Sequence, residues 1–233
     1  LQARLRQSQQ LAAVGRLAAG VAHELGSPLS VIDGKAQRVL RDDELAESHR
    51  RALLQIRQQV ARLSAIVRQL LDFGRAAGSP PRRVPAEVLA HSAAAAVADE
   101  LAALEVRLQL QAPPQTLHCR VDPPRFEQAL TNLLRNAAQA SPGGEVRLSW
   151  WGDGRELFMQ VEDDGPGIAE SHRGELFEPF FTTKPVGEGS GLGLAVAHGV
   201  VSECGGRIEL VDGRLPGAAF RIALPLSEEE NHD

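Results

Sequence analysis

Apolar residues recur at helical spacing through residues 1–74, and no stretch there alternates as a strand would. Leu11, Val14, Leu17, Val21, Leu25 and Ile32 mark one stripe; Leu53, Ile56, Val60, Leu63, Val67 and Leu70 mark a second. Between them RDDELAESHR, residues 41–50, is polar enough to join two helices, with Asp42 or Asp43 as the N-cap of the second. The pattern predicts a helical hairpin. Two helices alone leave much of both stripes in water, and a second copy of the chain is the simplest cover, giving a four-helix bundle in a homodimer.

The pattern changes after RAAGSPPRR, where Gly78, Pro80 and Pro81 stop the helix and supply a linker over residues 75–82. From residue 83 the periods mix. Residues 84–101, 124–141 and 190–206 read as helices, and 106–110, 145–151 and 156–164 read as strands. Residues 207–212 and 218–226 read as a closing hairpin, and 228–233 as an acidic tail that frays. The fold class expected is therefore an all-α hairpin unit, 1–74, followed by an α/β sandwich, 83–227.

Composition narrows the partners more than the fold. With 233 residues, 43% of them apolar, the chain can bury one large or two small cores. A formal charge of −5 disfavours nucleic acid or an anionic membrane as the main partner. Cys119 and Cys204 have neither disulfide-framework nor zinc-ligand spacing, which suits a reducing, cytoplasmic setting. The chain opens on Leu1 and holds no signal-peptide pattern or bilayer-length apolar run, so any sensor or membrane segment is expected upstream.

Three segments carry candidate ligand chemistry. In EQALTNLLRNAAQAS, Gln128, Asn132 and Asn136 share one helical face at i, i+4 and i+8, while Phe126, Leu130, Leu133 and Leu134 can face a core. A side-chain carbonyl from Asn136 suits Mg2+, which takes hard oxygen ligands and keeps several water or phosphate oxygens. VEDDGPGIAE ends a strand in a loop where Gly165 and Gly167 permit positive φ and close ligand approach, leaving Asp163 as an acceptor for an exocyclic amine. GEGSGLGLAVAHGVV sets Gly189, Gly191 and Gly193 before an apolar helix, where backbone N–H groups can meet phosphates. No Gly-Lys-Ser/Thr follows, so it is not a P-loop.

A fourth segment, GVAHELGSPLSVI, offers a nucleophile. His23 is followed directly by Glu24, and a neutral imidazole oriented by a carboxylate can attack phosphorus near neutral pH. Pro28 removes a helical hydrogen bond and crowds the carbonyl of Glu24, which predicts a bend close to His23, with Gly20 and Gly26 adding slack. The other histidines, at 49, 91, 118, 172, 198 and 232, lack ligand spacing, and Trp150-Trp151 reads as a core edge.

In this order, with LFEPFFTTK between the last two glycine segments, the sequence resembles the asparagine, glycine and phenylalanine boxes of the ATPase superfamily that histidine kinases share with heat-shock-type chaperones, mismatch-repair ATPases and type II topoisomerases. The His23 segment resembles the histidine box of histidine kinases. The resemblance implies ATP and Mg2+ as cofactors, a homodimer, transfer of the γ-phosphoryl to His23, and onward transfer to an aspartate of a response regulator. It assigns ATP binding to Asn132, Asn136, Asp163, Gly165, Gly167, Ile168, Thr182, Thr183, Lys184, Gly189, Gly191, Leu192 and Gly193. Within that set Asn136 is the Mg2+ ligand, residues 182–193 are a lid, and Asp163 rather than Asp164 reads adenine. Two departures stand out: Gly26 and Ser27 precede Pro28 where family members carry a basic residue and then Asn or Thr, and Gln139 replaces a common lysine. The first puts Ser27 forward as the phosphatase-related residue; the second shifts phosphate charge towards Lys184 and Mg2+. An ATP-driven conformational machine and a nucleotide-sensing scaffold without transfer are the rival readings.

Overall fold

The computed structural model describes residues 25–26, 28–42, 45–74, 79–184 and 189–227. The chain divides into two compact units: one holds the helices before residue 78 together with Thr182–Leu192, the other holds Gly78–Phe181 and the chain from Gly193 onward.

In the first unit, α1 runs through residues 28–39 and α2 through Glu47–Gly74. Arg57 Nε donates to Asp33 Oδ1 at 2.7 Å and links the two helices, while Arg50 donates to the carbonyls of Leu40 and Asp42 and closes the connection between them. The expected N-cap moves. α2 begins at Glu47, and Asp42 lies five residues earlier in a turn whose carbonyl accepts the Leu45 N–H, because the backbone turns once more before it winds. Asp43 lies outside the described residues, as do Leu11, Val14, Leu17 and Val21 and the side chains of Val67 and Leu70. Among the described residues Leu29, Ala36 and Val60 are buried, whereas Leu25, Val31, Ile32, Val39, Leu54, Ile56 and Leu63 are all more than 40% exposed in the single chain.

The second unit is a two-layer sandwich. Its sheet has strand order β2-β4-β5-β7-β6, where β2 is Arg107–Gln111, β4 Glu145–Gly152, β5 Glu156–Asp163, β6 Arg207–Val211 and β7 Ala219–Pro225. β2 pairs with β4 in parallel and the remaining pairs are antiparallel. Alternation along the strands gives one face Val146, Leu148, Trp150, Leu157, Met159, Val161, Ile222 and Leu224, all buried. Against that face packs α5, Pro123–Ala140, which buries Phe126, Leu130, Leu133 and Leu134 as its periodicity predicts. α6, Gly193–Glu203, lies beside α5 and over β6. Arg135 of α5 forms a bidentate pair with Glu100 of α4, Ala98–Ala103, at 2.6 and 2.7 Å.

Three elements depart from the expected pattern. The helix expected over 84–101 is split at Val97, whose φ of −109° and ψ of 3° end α3, Ala86–Ala96, and start α4. A short antiparallel pair, β1 at Arg82–Pro85 and β3 at His118–Val121, occupies segments assigned to linker, helix and loop. The helix expected from Ser190 starts three residues later, because Gly191 takes φ +65° and breaks the winding.

Candidate functional site

α5 carries the amide ladder past the start of α6. Asn132 Nδ2 donates to the Gly193 carbonyl at 3.3 Å, and a Cβ built on Gly193 would sit 3.6 Å from Asn136 Nδ2 and 3.8 Å from Asn132 Cγ. Gln128, Asn132 and Asn136 are half-exposed on one face while the opposite face is fully buried. The fold thus brings Asn132, Asn136 and the first residue of α6 together, with the amide oxygens as hard, neutral donors beside a helix N-terminus.

Asp163 ends β5 and is only 3% exposed. Its Oδ1 accepts the Gly165 N–H at 3.0 Å and the Ala218 N–H at 3.1 Å, and its backbone exchanges bonds with Gly217 and Ala218. Oδ2 is the remaining acceptor of that carboxylate. Burial is the main force holding the carboxyl above its usual range; the Ala218 and Gly165 N–H groups oppose it, and Asp164 adds to the rise.

The glycines of the loop have different jobs. Gly167 takes φ +73°, as the loop requires. Gly165 is not in the left-handed region expected of it; it is small because a Cβ there would lie 2.6 Å from the Ala140 carbonyl at the end of α5. A side chain at Gly217 would overlap Asp163 Oδ1 itself. Gly217 and Ala218 were not among the residues the sequence pointed to; the Pro216-Gly217 turn signal before β7 was the available clue. Ile168 follows, half-exposed.

The segment Thr182–Leu192 has its own local order. Thr182 Oγ1 accepts the Lys184 N–H at 3.2 Å, and a Cβ on Gly189 would lie 2.6 Å from that oxygen and 3.2 Å from Lys184 Cδ, so both ends of the loop close on each other. Thr183 is exposed. Ser190 Oγ accepts the N–H of Leu192, which is buried. His23, Glu24 and Ser27 lie outside the described residues. Nearby, Pro28 is helical and the Ser30 hydroxyl donates to the Gly26 carbonyl at 2.9 Å, a back-bond of the kind that bends helices.

Comparison with known proteins gives this geometry its context. Residues 13–78 match the His Kinase A (phospho-acceptor) domain, and residues 121–228 match the Histidine kinase-, DNA gyrase B-, and HSP90-like ATPase domain. The chain is 33% identical over 229 residues to the sensor histidine kinase ZraS of Escherichia coli K12, covering 97% of this chain and 49% of ZraS. It is 33% identical over 224 residues to the C4-dicarboxylate transport sensor protein DctB of Pseudomonas aeruginosa, covering 94% of this chain and 37% of DctB. Among solved structures, full-length ShkA in complex with AMPPNP superposes with a TM-score of 0.71 at 28% identity, over 91% of this chain and 46% of that one. The chain thus spans about half the length, or less, of these relatives. Two domain matches in the order of the kinase core, and identity of one third along nearly the whole chain, settle its kinship: it belongs to the histidine kinases, as a sensor histidine kinase core.

Proposed function

We propose that the chain binds Mg-ATP in the sandwich unit, transfers the γ-phosphoryl to His23 with Glu24 orienting the imidazole, and passes it to an aspartate of a response regulator. The observation that carries this reading is the buried Asp163 carboxylate, held by two backbone N–H groups, in a domain whose α5 aligns Asn132 and Asn136 with the start of α6. Its chemistry suits adenine: the exocyclic amine donates to a fixed acceptor. The domain boundaries that follow are 1–74 for phospho-acceptance and dimerisation, 75–82 as linker and 83–227 for nucleotide. A homodimer accounts for the exposed leucines, isoleucines and valines of α1 and α2, which would otherwise face water. A cytoplasmic location fits this work, and no helix among the described residues is long and apolar enough to cross a membrane.

The metal fits one donor. Asn136 presents a half-exposed amide oxygen, the kind of ligand Mg2+ takes singly alongside phosphates and water. When bound, Mg2+ would neutralise charge that builds on the transferring phosphoryl group. The protein's own contribution is to orient adenine through Asp163 and to offer backbone N–H groups at the start of α6.

Incubation with ATP labelled in its γ-phosphate should give an acid-labile, base-stable label that peptide mapping under mildly basic conditions places on His23. An acid-stable label, or turnover without any label, would contradict the assignment.

Nucleotide binding should be linked to protons. Burial raises the Asp163 carboxyl, so protonation sets in at higher pH than for an ordinary aspartate, and a protonated acid is a poorer acceptor for the adenine amine. ADP affinity should therefore begin to fall at higher pH than an ordinary aspartate would dictate, and more steeply than in Asp163→Asn. Parallel pH profiles for both proteins would remove Asp163 from the pocket.

Ser27 is four residues beyond His23, a spacing that would share one face of a helix, where a hydroxyl could orient the water that hydrolyses the regulator's aspartyl phosphate. Ser27→Ala should slow regulator dephosphorylation by about tenfold, the size of losing one net hydrogen bond, while sparing His23 labelling. Ser27→Thr should raise it, since the β-branch restricts the hydroxyl rotamer. No change in either variant would end the phosphatase role.

A further inference from the structure

β5 alternates as a half-buried strand up to Phe158, and then both of its faces are buried: Gln160 is 4% exposed and Glu162 3%. A buried carboxylate is costly unless it is hydrogen-bonded, and Glu162 has several partners. Its Oε2 accepts the backbone N–H groups of Arg214 at 2.8 Å and Leu215 at 3.2 Å, and its Oε1 accepts Gln160 Nε2 at 2.6 Å. Gln160 Oε1 in turn accepts Arg221 Nε at 2.7 Å, and the Arg221 guanidinium lies 5.3 Å from the centre of the Trp151 ring. The turn between β6 and β7, residues 212–218, presses close to the sheet here: a Cβ on Gly213 would lie 2.8 Å from Ala219 Cβ and 3.1 Å from Glu162 Oε2.

Successive strand residues point to opposite faces, so Glu162 and Asp163 reach the same turn from two sides. Glu162 holds its first half at Arg214 and Leu215; Asp163 bonds to its second half at Gly217 and Ala218. We propose that Glu162 is a positioning residue for adenine recognition: by fixing the β6–β7 turn from the outer face of the sheet, it sets the Ala218 N–H that orients Asp163 and so aims Asp163 Oδ2 at the exocyclic amine. Trp151, Arg221 and Gln160 brace Glu162 in turn. The proposal rests on the reading of Asp163 as the adenine acceptor.

The test compares ATP with purine riboside triphosphate, which lacks the exocyclic amine, by titration calorimetry on the chain as it stands. The unsubstituted chain should prefer ATP by about tenfold or more, the scale of losing one well-placed hydrogen bond in a pocket. Glu162→Ala should weaken ATP by about tenfold yet leave the amine-free nucleotide within about twofold, so the preference collapses. Glu162→Gln keeps one acceptor oxygen but cannot accept from both the turn and Gln160, and should show an intermediate preference; it carries the test if the alanine variant does not fold. An equal loss for both nucleotides, or an unchanged preference, overturns the proposal. Asp163→Asn separates the two levels. If it leaves the preference for ATP intact, the adenine reading fails and the proposal with it; if it abolishes the preference while both Glu162 variants retain it, only the positioning role fails. Adding Glu162→Ala to Asp163→Asn should cost no further amine preference.

Discussion

His23→Ala should reduce autophosphorylation by about a thousandfold or more, the loss expected when a nucleophile itself is removed, while nucleotide affinity stays within about twofold of the parent chain. The split follows from the two units. Asn132, Asn136, Asp163 and Gly193 are assembled within the sandwich unit, whereas His23 belongs to the matched phospho-acceptor segment. Asp163→Asn should give the reverse pattern, with affinity lost first. Mixing the two variants and allowing protomers to exchange then asks a geometric question: label appears only if the sandwich of one protomer reaches His23 of its partner. Covalent phosphate on the His23→Ala homodimer would refute the assignment, and labelling chemistry by itself could not rescue it.

The parts of the molecule that were legible in the sequence are those where one physical period dominates. α5 shows this best: Phe126, Leu130, Leu133 and Leu134 repeat at helical spacing and are buried, and the amides on the other face stay half-exposed. β4, β5 and the β6–β7 hairpin were equally readable from alternation and turn residues. β1 and β3 were not. Each has four residues, three of the eight are arginines, and Arg83 stands opposite Arg120, so neither segment carries the apolar signal that marks a strand; their pairing spans more than thirty residues of chain. The break at Val97 was hidden for a related reason, since an alanine-rich run favours helix on both sides and only tertiary packing decides where it turns.

The site divides in the same way. Asp163 stood out because its motif ends in glycines, and the fold gives those glycines distinct tasks that no motif encodes: conformation at Gly167, clearance from Ala140 at Gly165. Glu162 was invisible, since a glutamate at an outward position of a strand reads as solvated until the turn at 212–218 is seen to cover it. Long-range backbone donors such as those of Arg214, Leu215 and Ala218 carry no side-chain signature, so the residues that depend on them cannot be read from local sequence.

Asn136→Ala should cut autophosphorylation at saturating Mg-ATP by about a hundredfold, and ATP affinity by much less. The ordering rests on when the charge develops. On the proposed reading the ground-state nucleotide would be held by adenine at Asp163 and by backbone donors at the start of α6, none of which the truncation touches directly. As the γ-phosphoryl moves, negative charge shifts among its oxygens, and an amide oxygen that fixes a divalent cation contributes chiefly at that point. Asn132 supplies a built-in comparison: its Nδ2 already donates to the Gly193 carbonyl, so Asn132→Ala removes a support of the α6 terminus and should weaken binding and turnover together. Titrating ATP with and without Mg2+ distinguishes the two residues without relying on turnover. The Mg2+-dependent gain in affinity should shrink in Asn136→Ala and persist in Asn132→Ala. Equal rates for Asn136→Ala and the parent chain at saturating Mg-ATP, with an undiminished Mg2+ effect on binding, would show that the metal is held elsewhere.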